Sequence, residues 1–255
     1  VILLLGGIAE TRALALGLAG AGCRVLVSTA TDIPLDTGDH PCIRKRSGRL
    51  DQQGLTALIQ ESGIRLVIDA VHPYASEARS SARSAAHGSG IPCLSYVRPG
   101  SDPDGSGIDH AATHEQAALI AFSFQKPVLL SIGAKHIGPY AVHAGEVPLY
   151  VRVLPFAESI EACRRAGIPG SRIITGRGPF TSVDNRSLIR QHSIGVLVTK
   201  DSGKEGGVPE KLEAARLEGC RVIVVKRPEL PMQDGTTFDS IDTLIASVQG
   251  FLQSE

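Results

Sequence analysis

The stretch Leu3-Leu4-Leu5-Gly6-Gly7-Ile8-Ala9-Glu10-Thr11-Arg12 decides the fold. Val1 to Leu5 are apolar without a break, which is the pattern of a strand buried on both faces. Two glycines follow at once, and then a helical run whose Leu14 and Leu18 fall four apart, on one face. Strand, tight glycine turn and helix start form the geometry that cradles a pyrophosphate. The free N–H groups and the positive end of the helix dipole both face the anion. The match is shorter than a full G-x-G-x-x-G, because Ile8 and Ala9 occupy later pattern positions. A purely structural βα turn would use the same residues.

Outward from this turn, strand and helix patterns alternate to the end of the chain. Strands are expected at 24–29, 43–46, 66–70 and 92–97, with helices from about 51 to 63 and from 76 to 87. Residues 98–107 are rich in Pro, Gly, Ser and Asp, the composition of a linker. The alternation then restarts, with strands at 128–132, 149–154, 172–175, 195–199 and 221–226. Helices are expected at 113–124, 159–166, 182–192 and 209–218, and a terminal helix near 241–252 packs on either half. The expected class is α/β: two Rossmann-like domains with parallel sheets and an interdomain cleft. The boundaries read as a dinucleotide-binding domain at 1–98, a linker at 99–112 and a second α/β domain at 113–255.

Composition removes several classes. Among 255 residues Lys plus Arg equals Asp plus Glu, 26 each, so no bulk field draws the chain to nucleic acid or a membrane surface. No apolar run reaches a membrane span, and the start reads as a strand, so a cytoplasmic protein is expected. The numbering opens on Val1, and an initiator Met is expected before it. Cys23, Cys42, Cys93, Cys163 and Cys220 form no C-x-x-C motif and read as reduced thiols. No Cys and His cluster has metal-ligand spacing, so no metal is expected.

In open parallel sheets ligands sit beyond the strand C-termini. The unusual loops all fall there: Gly6-Gly7, His72-Pro73-Tyr74, Lys135-His136, Arg177-Gly178-Pro179-Phe180 and Lys200-Asp201-Ser202-Gly203. In the first half, Gly6, Gly7, Ile8, Ala9, Glu10, Ser28, Thr29, Gly48, Arg49, Ala70, His72 and Pro73 are the candidate dinucleotide contacts. In the second, Lys135, Arg177, Lys200 and Lys204, with Ser202, fit an anion-binding wall; singly, each cation reads as solvated surface. Gly203, Gly206 and Gly207 before Pro209 read as a second anion-binding turn or as a flexible lid.

Several motifs occur in one order: Gly6-Gly7-x-x-Glu10-x-Arg12, Asp69-Ala70-x-His72-Pro73-Tyr74-Ala75, Gly178-Pro179-Phe180, Thr199-Lys200-x-Ser202-Gly203-x-Glu205-Gly206-Gly207 and Val224-Val225-x-Arg227-Pro228. In this the chain resembles the precorrin-6A reductase family of cobalamin biosynthesis, including its cobalt-precorrin-6A branch. The likeness runs from Leu3 to about Pro228, and Ile8 stands where the family usually has Thr. The resemblance implies a hydride transfer from a reduced nicotinamide, without flavin or metal, to a double bond of a ring-contracted tetrapyrrole with many carboxylates. A proton must also arrive, and His72, Tyr74, Lys135, Asp201 or water are the general acids in reach. The sequence does not choose among them.

Two other classes share parts of the pattern. A nonenzymatic dinucleotide sensor would need only the Gly6-Gly7 turn, and a glycosyltransferase-like enzyme would hold a sugar nucleotide in the second half. An NAD site places Asp or Glu about 20 residues past the glycines. Here Ser28 and Thr29 stand there, the first carboxylate is Asp32, and Arg44, Lys45, Arg46 and Arg49 lie on the next segment. NADPH is therefore expected, with NADH the alternative. A fragment ending near Arg98 is expected to carry the cofactor.

Overall fold

Strand β1 (Ile2–Leu5) is buried at every position and stands inside a six-stranded parallel sheet. Its Ile2 and Leu4 point into one core and its Leu3 and Leu5 into another, which explains an apolar run with no alternation. The computed structural model describes residues 1–30, 36–98, 106–145, 147–203, 206–227 and 236–253. They divide into two units, Val1–Pro99 with Pro228–Glu255, and Gly100–Arg227.

In the first unit, β1 lies between β2 (Val25–Thr29) and β4 (Leu66–Asp69). Beyond them are β3 (Ile43–Ser47) on one side, and β5 (Cys93–Tyr96) and β12 (Thr237–Phe238) on the other. Helix α1 (Thr11–Gly20) and the C-terminal α9 (Ile241–Gln253) cover one face through Leu14, Leu18, Leu244 and Val248. Helices α2 (Gln52–Glu61) and α3 (Ser76–Gly88) cover the other through Leu55, Ile59, Ala82 and Ala86. The Asp51 side chain caps α2 by accepting the Gly54 N–H at 2.8 Å. The strand order β3-β2-β1-β4-β5 reverses direction between β1 and β4. That switch point opens a crevice where their C-terminal loops diverge.

The second unit repeats the plan. Its strands are β6 (Ile108–Ala111), β7 (Val128–Ser131), β8 (Leu149–Val153), β9 (Ile173–Thr175), β10 (Val196–Lys200) and β11 (Arg221–Val225), all parallel, in the order β6-β11-β10-β7-β8-β9. Counted from β7, this is the order of the first sheet, and the switch point lies between β7 and β10. One face is covered by α4 (His114–Ser123), the short α5 (Gly138–Ala141) and α6 (Ala157–Arg165). The other is covered by α7 (Ser182–Gln191) and α8 (Val208–Leu217). Each sheet gains a sixth strand from outside its five-strand repeat: β12 comes from beyond the second repeat, and β6 from between the two.

These two strands change the expected boundaries. Ile108–Ala111 pairs with β11, so part of the segment expected as linker is sheet. The terminal helix, expected on either half, lies on the first: Thr237 and Phe238 pair with Ser95 and Tyr96, and α9 packs against α1. The physical reason is burial. The α1 side of the first sheet would otherwise expose Leu14 and Leu18, and Leu244 and Val248 close it, all four fully buried. Among the described residues no helix is long and apolar enough to cross a membrane.

Candidate functional site

The first switch point starts at the glycine turn. The Gly6 N–H bonds the Ser28 carbonyl at 2.9 Å. A Cβ on Gly6 would come within 2.5 Å of Thr11 Cγ2, so only glycine fits. Gly7 has φ +136°, which also requires glycine, and the space where its Cβ would point is open. The turn differs from expectation in its donors. Thr11 Oγ1, fully buried, accepts the N–H groups of Gly7 at 3.1 Å and Ile8 at 3.2 Å. The N–H groups of Ala9 and Glu10 have no partner among the described residues, and they, not Gly7 and Ile8, are left to meet an anion at the start of α1. The Glu10 carboxylate is held by the buried Arg98, whose Nε donates at 2.6 Å and whose Nη2 donates to the second oxygen.

At the adjoining strand ends, Arg46 lies across β2 and β3. Its Nη1 donates to Ser28 Oγ at 2.8 Å and to the Gly48 carbonyl at 3.0 Å, and its Nη2 to the Ser47 carbonyl at 2.9 Å. A guanidinium is thus fixed beside Ser28 and Gly48. Arg44, Lys45 and Arg49 are exposed, Thr29 is half-buried, and Asp32 lies outside the described residues.

The β4 exit carries Ala70, Val71, His72, Pro73 and Tyr74. Ala70 is fully buried and donates to the Leu5 carbonyl at 2.9 Å. His72 Nδ1 accepts the Tyr74 N–H at 3.4 Å, with the two rings 5.7 Å apart. Beneath the loop is a buried ion pair. Arg79 Nε donates to Asp69 Oδ2 at 2.5 Å, the two side chains being 3% and 0% exposed. Asp69 also accepts from the Val71 N–H at 3.2 Å and from Ser95 Oγ at 3.4 Å, while Arg79 Nη2 reaches the Val71 carbonyl at 3.5 Å. The pair therefore holds both backbone groups of the residue before His72.

In the second unit the two switch-point strands bring Lys135 and Lys200 to one edge. Lys135 is exposed and Lys200 half-buried. Burial, with the Lys135 charge nearby, pushes the Lys200 ammonium down to about 8. His136 stacks on His114, centroids 4.4 Å apart, and His114 Nδ1 lies 3.0 Å from the Tyr140 hydroxyl. Burial first, then the charges of His136 and Lys200, push His114 down to about 4, so the ring is neutral at pH 7. The Asp201 carboxylate is ion-paired with Arg227 at 3.2 Å and accepts the Gly203 N–H at 3.4 Å. Ser202 is buried, its Oγ 3.4 Å from the Gly206 carbonyl.

The expected cation wall is only partly assembled. Arg177 follows β9, the outermost strand, two strands from the switch point or roughly 10 Å by ordinary strand spacing. There it lies over Phe156, with Cζ 5.9 Å from the ring centroid. Lys204 lies outside the described residues. Sequence reasoning passed over Thr11, the stacked His114 and His136 with Tyr140, and two buried cations, Arg152 and Lys211. The Lys135-His136 dipeptide was the one local signal for the stack.

Two doubly wound parallel sheets, with a glycine turn at one switch point and lysines at the other, define a Rossmann-type α/β protein. The family model for precorrin-6x reductase CbiJ/CobK matches residues 1–249, and the chain belongs to that family. The solved structure of CobK precorrin-6A reductase matches with a TM-score of 0.76 at 26% identity, covering 99% of this chain and 96% of that one. The cobalt-precorrin-6A reductase of Priestia megaterium is 32% identical over 247 residues, 96% of each chain. The precorrin-6A reductase of Rhodococcus erythropolis is 34% identical over 244 residues, 93% of each. The chain is an oxidoreductase of cobalamin biosynthesis, which sets aside the sensor and glycosyltransferase-like alternatives.

Proposed function

We propose that the chain reduces a double bond of a ring-contracted tetrapyrrole, precorrin-6A or its cobalt form, using NADPH held by the first unit. The observation that carries the cofactor reading is Arg46 fixed on Ser28 beside the glycine turn. NADPH when bound supplies the hydride. The chain's own groups do the holding. The Ala9 and Glu10 N–H groups and the α1 dipole receive the pyrophosphate, and the open space over Gly7 admits it. Ser28 and Arg46 receive the 2′-phosphate. His72 and Tyr74, on the β4 exit loop at the same switch point, are the groups to deliver the proton, with Lys135 the candidate from the second unit. Asp201 serves instead as anchor of its turn, through Arg227 and the Gly203 N–H. This reading places the enzyme in the cytoplasm, in keeping with five free cysteines.

Turnover of precorrin-6A and of its cobalt form, followed by loss of nicotinamide absorbance, tests the function. Failure with both substrates would overturn it. For the cofactor, Arg46→Ala should weaken NADPH binding by about 10- to 100-fold, the value of one charge-assisted bond. NADH affinity should stay near wild type, as read by nicotinamide fluorescence. Wild-type protein that binds NADH as tightly as NADPH would refute the choice.

We further propose that Lys135, Lys200 and Ser202 bind substrate carboxylates. Arg177 and Lys204, the remaining members of the expected wall, join them where the macrocycle reaches far enough. Lys200 then imposes a pH dependence. Its lowered value means that the cation is lost as pH rises through about 8. KM for the tetrapyrrole should therefore climb about tenfold between pH 7 and 9.5. Lys200→Met should flatten that limb at the high KM. A wild-type KM independent of pH over this range would remove Lys200 from the site.

A further inference from the structure

We infer that the second unit carries a carboxylate subsite formed by Arg152, Lys211 and the first turn of α8. This rests on the tetrapyrrole reading above and extends it to two residues that no motif contains. The register brings the site together. Leu129, Tyr150 and Leu197 pack under α7 and α8, and two residues further along those strands come Ser131, Arg152 and Thr199. Ser131 lies beside Thr199 in the ladder and is hydrogen-bonded to Arg152. A polar row thus crosses the switch point at the ligand edge, on the α8 side.

Arg152 is 7% exposed and Lys211 is 8% exposed. Arg152 donates to Asn185 Oδ1 and to Ser131 Oγ, both at 2.9 Å, with Cζ 4.3 Å over the Phe180 ring. Lys211 Nζ donates to the Gly206 carbonyl at 3.0 Å. All these partners are neutral, and among the described residues neither cation has a carboxylate within ion-pair distance. The carboxylates that act on them stand beyond ion-pair distance: Asp184 on Arg152, exposed and spent on capping α7 through Thr181, and Glu210 on Lys211, from the residue beside it in the first turn of α8. Lys211 is the fourth residue of α8 and reaches back toward the positive end of the helix dipole, where a cation is least favoured. Burial and the neighbouring guanidinium together push its ammonium down to about 8. Two desolvated like charges at a helix N-terminus are unfavourable without an anion between them. Gly207, with φ +69°, leads into α8 directly after the Gly206 carbonyl that Lys211 holds. A carboxylate arm of the macrocycle supplies the missing charge.

The test uses the full chain with three measurements: uroporphyrin, an octacarboxylate, by calorimetry; inorganic phosphate by calorimetry; and thermal unfolding without ligand. Lys211→Met and Arg152→Gln should each weaken uroporphyrin binding at least tenfold and leave NADPH affinity within twofold. Ligand-free Lys211→Met should melt at or above the wild-type temperature, which a merely structural lysine would not do. Should Arg152→Gln fail to fold, Lys211→Met alone decides. Wild-type uroporphyrin affinity in Lys211→Met overturns the proposal, as does loss of phosphate binding with uroporphyrin binding intact. If wild type fails to turn over precorrin-6A while Lys211→Met still loses uroporphyrin, the reductase reading falls and the subsite stands. Turnover with unchanged KM in Lys211→Met has the opposite meaning.

Discussion

Arg79→Met should lower the stability of the first unit by about 3–5 kcal/mol, because it leaves the Asp69 carboxylate buried and uncompensated. Asp69 is wholly inaccessible at the end of β4, and the Arg79 guanidinium is its one charged partner among the described residues. For a chain of this size that corresponds to roughly 6–20 °C in Tm. The Val71 N–H and Ser95 Oγ still donate to Asp69, which keeps the loss toward the lower end. Removing both charges, as Asp69→Asn with Arg79→Met, should recover part of it, since a neutral pair needs no counter-ion. The same pair fixes Val71 ahead of His72, so cofactor affinity should fall along with stability. Thermal melts of the two single variants and the double variant close the cycle. An Arg79→Met protein within 1 kcal/mol of wild type would show that the pair holds nothing.

The second large effect concerns the chain end. Leu244→Ala should cost about 2–5 kcal/mol, the range for a fully buried leucine whose site cannot collapse. Leu244 is 0% exposed among Leu14, Leu18 and Val248. Gly17 leaves the room that the end of the Ile245 side chain fills, so α9 packs its Ile245 directly onto the backbone of α1 there. A fragment ending near Arg98, expected from sequence to carry the cofactor, lacks β12 and α9 and leaves that face open. It should fail to give a cooperative transition, and a fragment joining 1–99 directly to 228–255 should give one. If the shorter fragment melts cooperatively and binds NADPH, α9 is dispensable.

The two cases show where sequence reading holds and where it stops. β1 was legible because a strand covered on both faces must be apolar throughout, and nothing distant is needed to see that. Gly6 and Gly7 were legible as a turn for the same local reason. Their hydrogen bonds were not, because Thr11 was free to face solvent, cap its own helix or turn back, and only packing against Gly6 settles it. Lys135 and Lys200 were legible as loop cations at strand exits. That they share the β7 and β10 edge while Arg177 stands at the rim follows from strand order, which local pattern does not contain. Arg152 reads in sequence as an interruption of an apolar strand, and Lys211 as one more surface lysine.

By itself the sequence determined the alternation of strands and helices, the parallel sheets, the glycine turn and the family likeness. Each of these is written in the period and type of near neighbours. The tertiary structure alone decided that β12 and α9 return to the first sheet and that β6 joins the second. It also decided that two cations lie buried at one switch point. These outcomes depend on which distant surfaces bury each other. A two-residue strand has too few positions to show a period, and a charge is marked as buried only once its neighbours have closed over it.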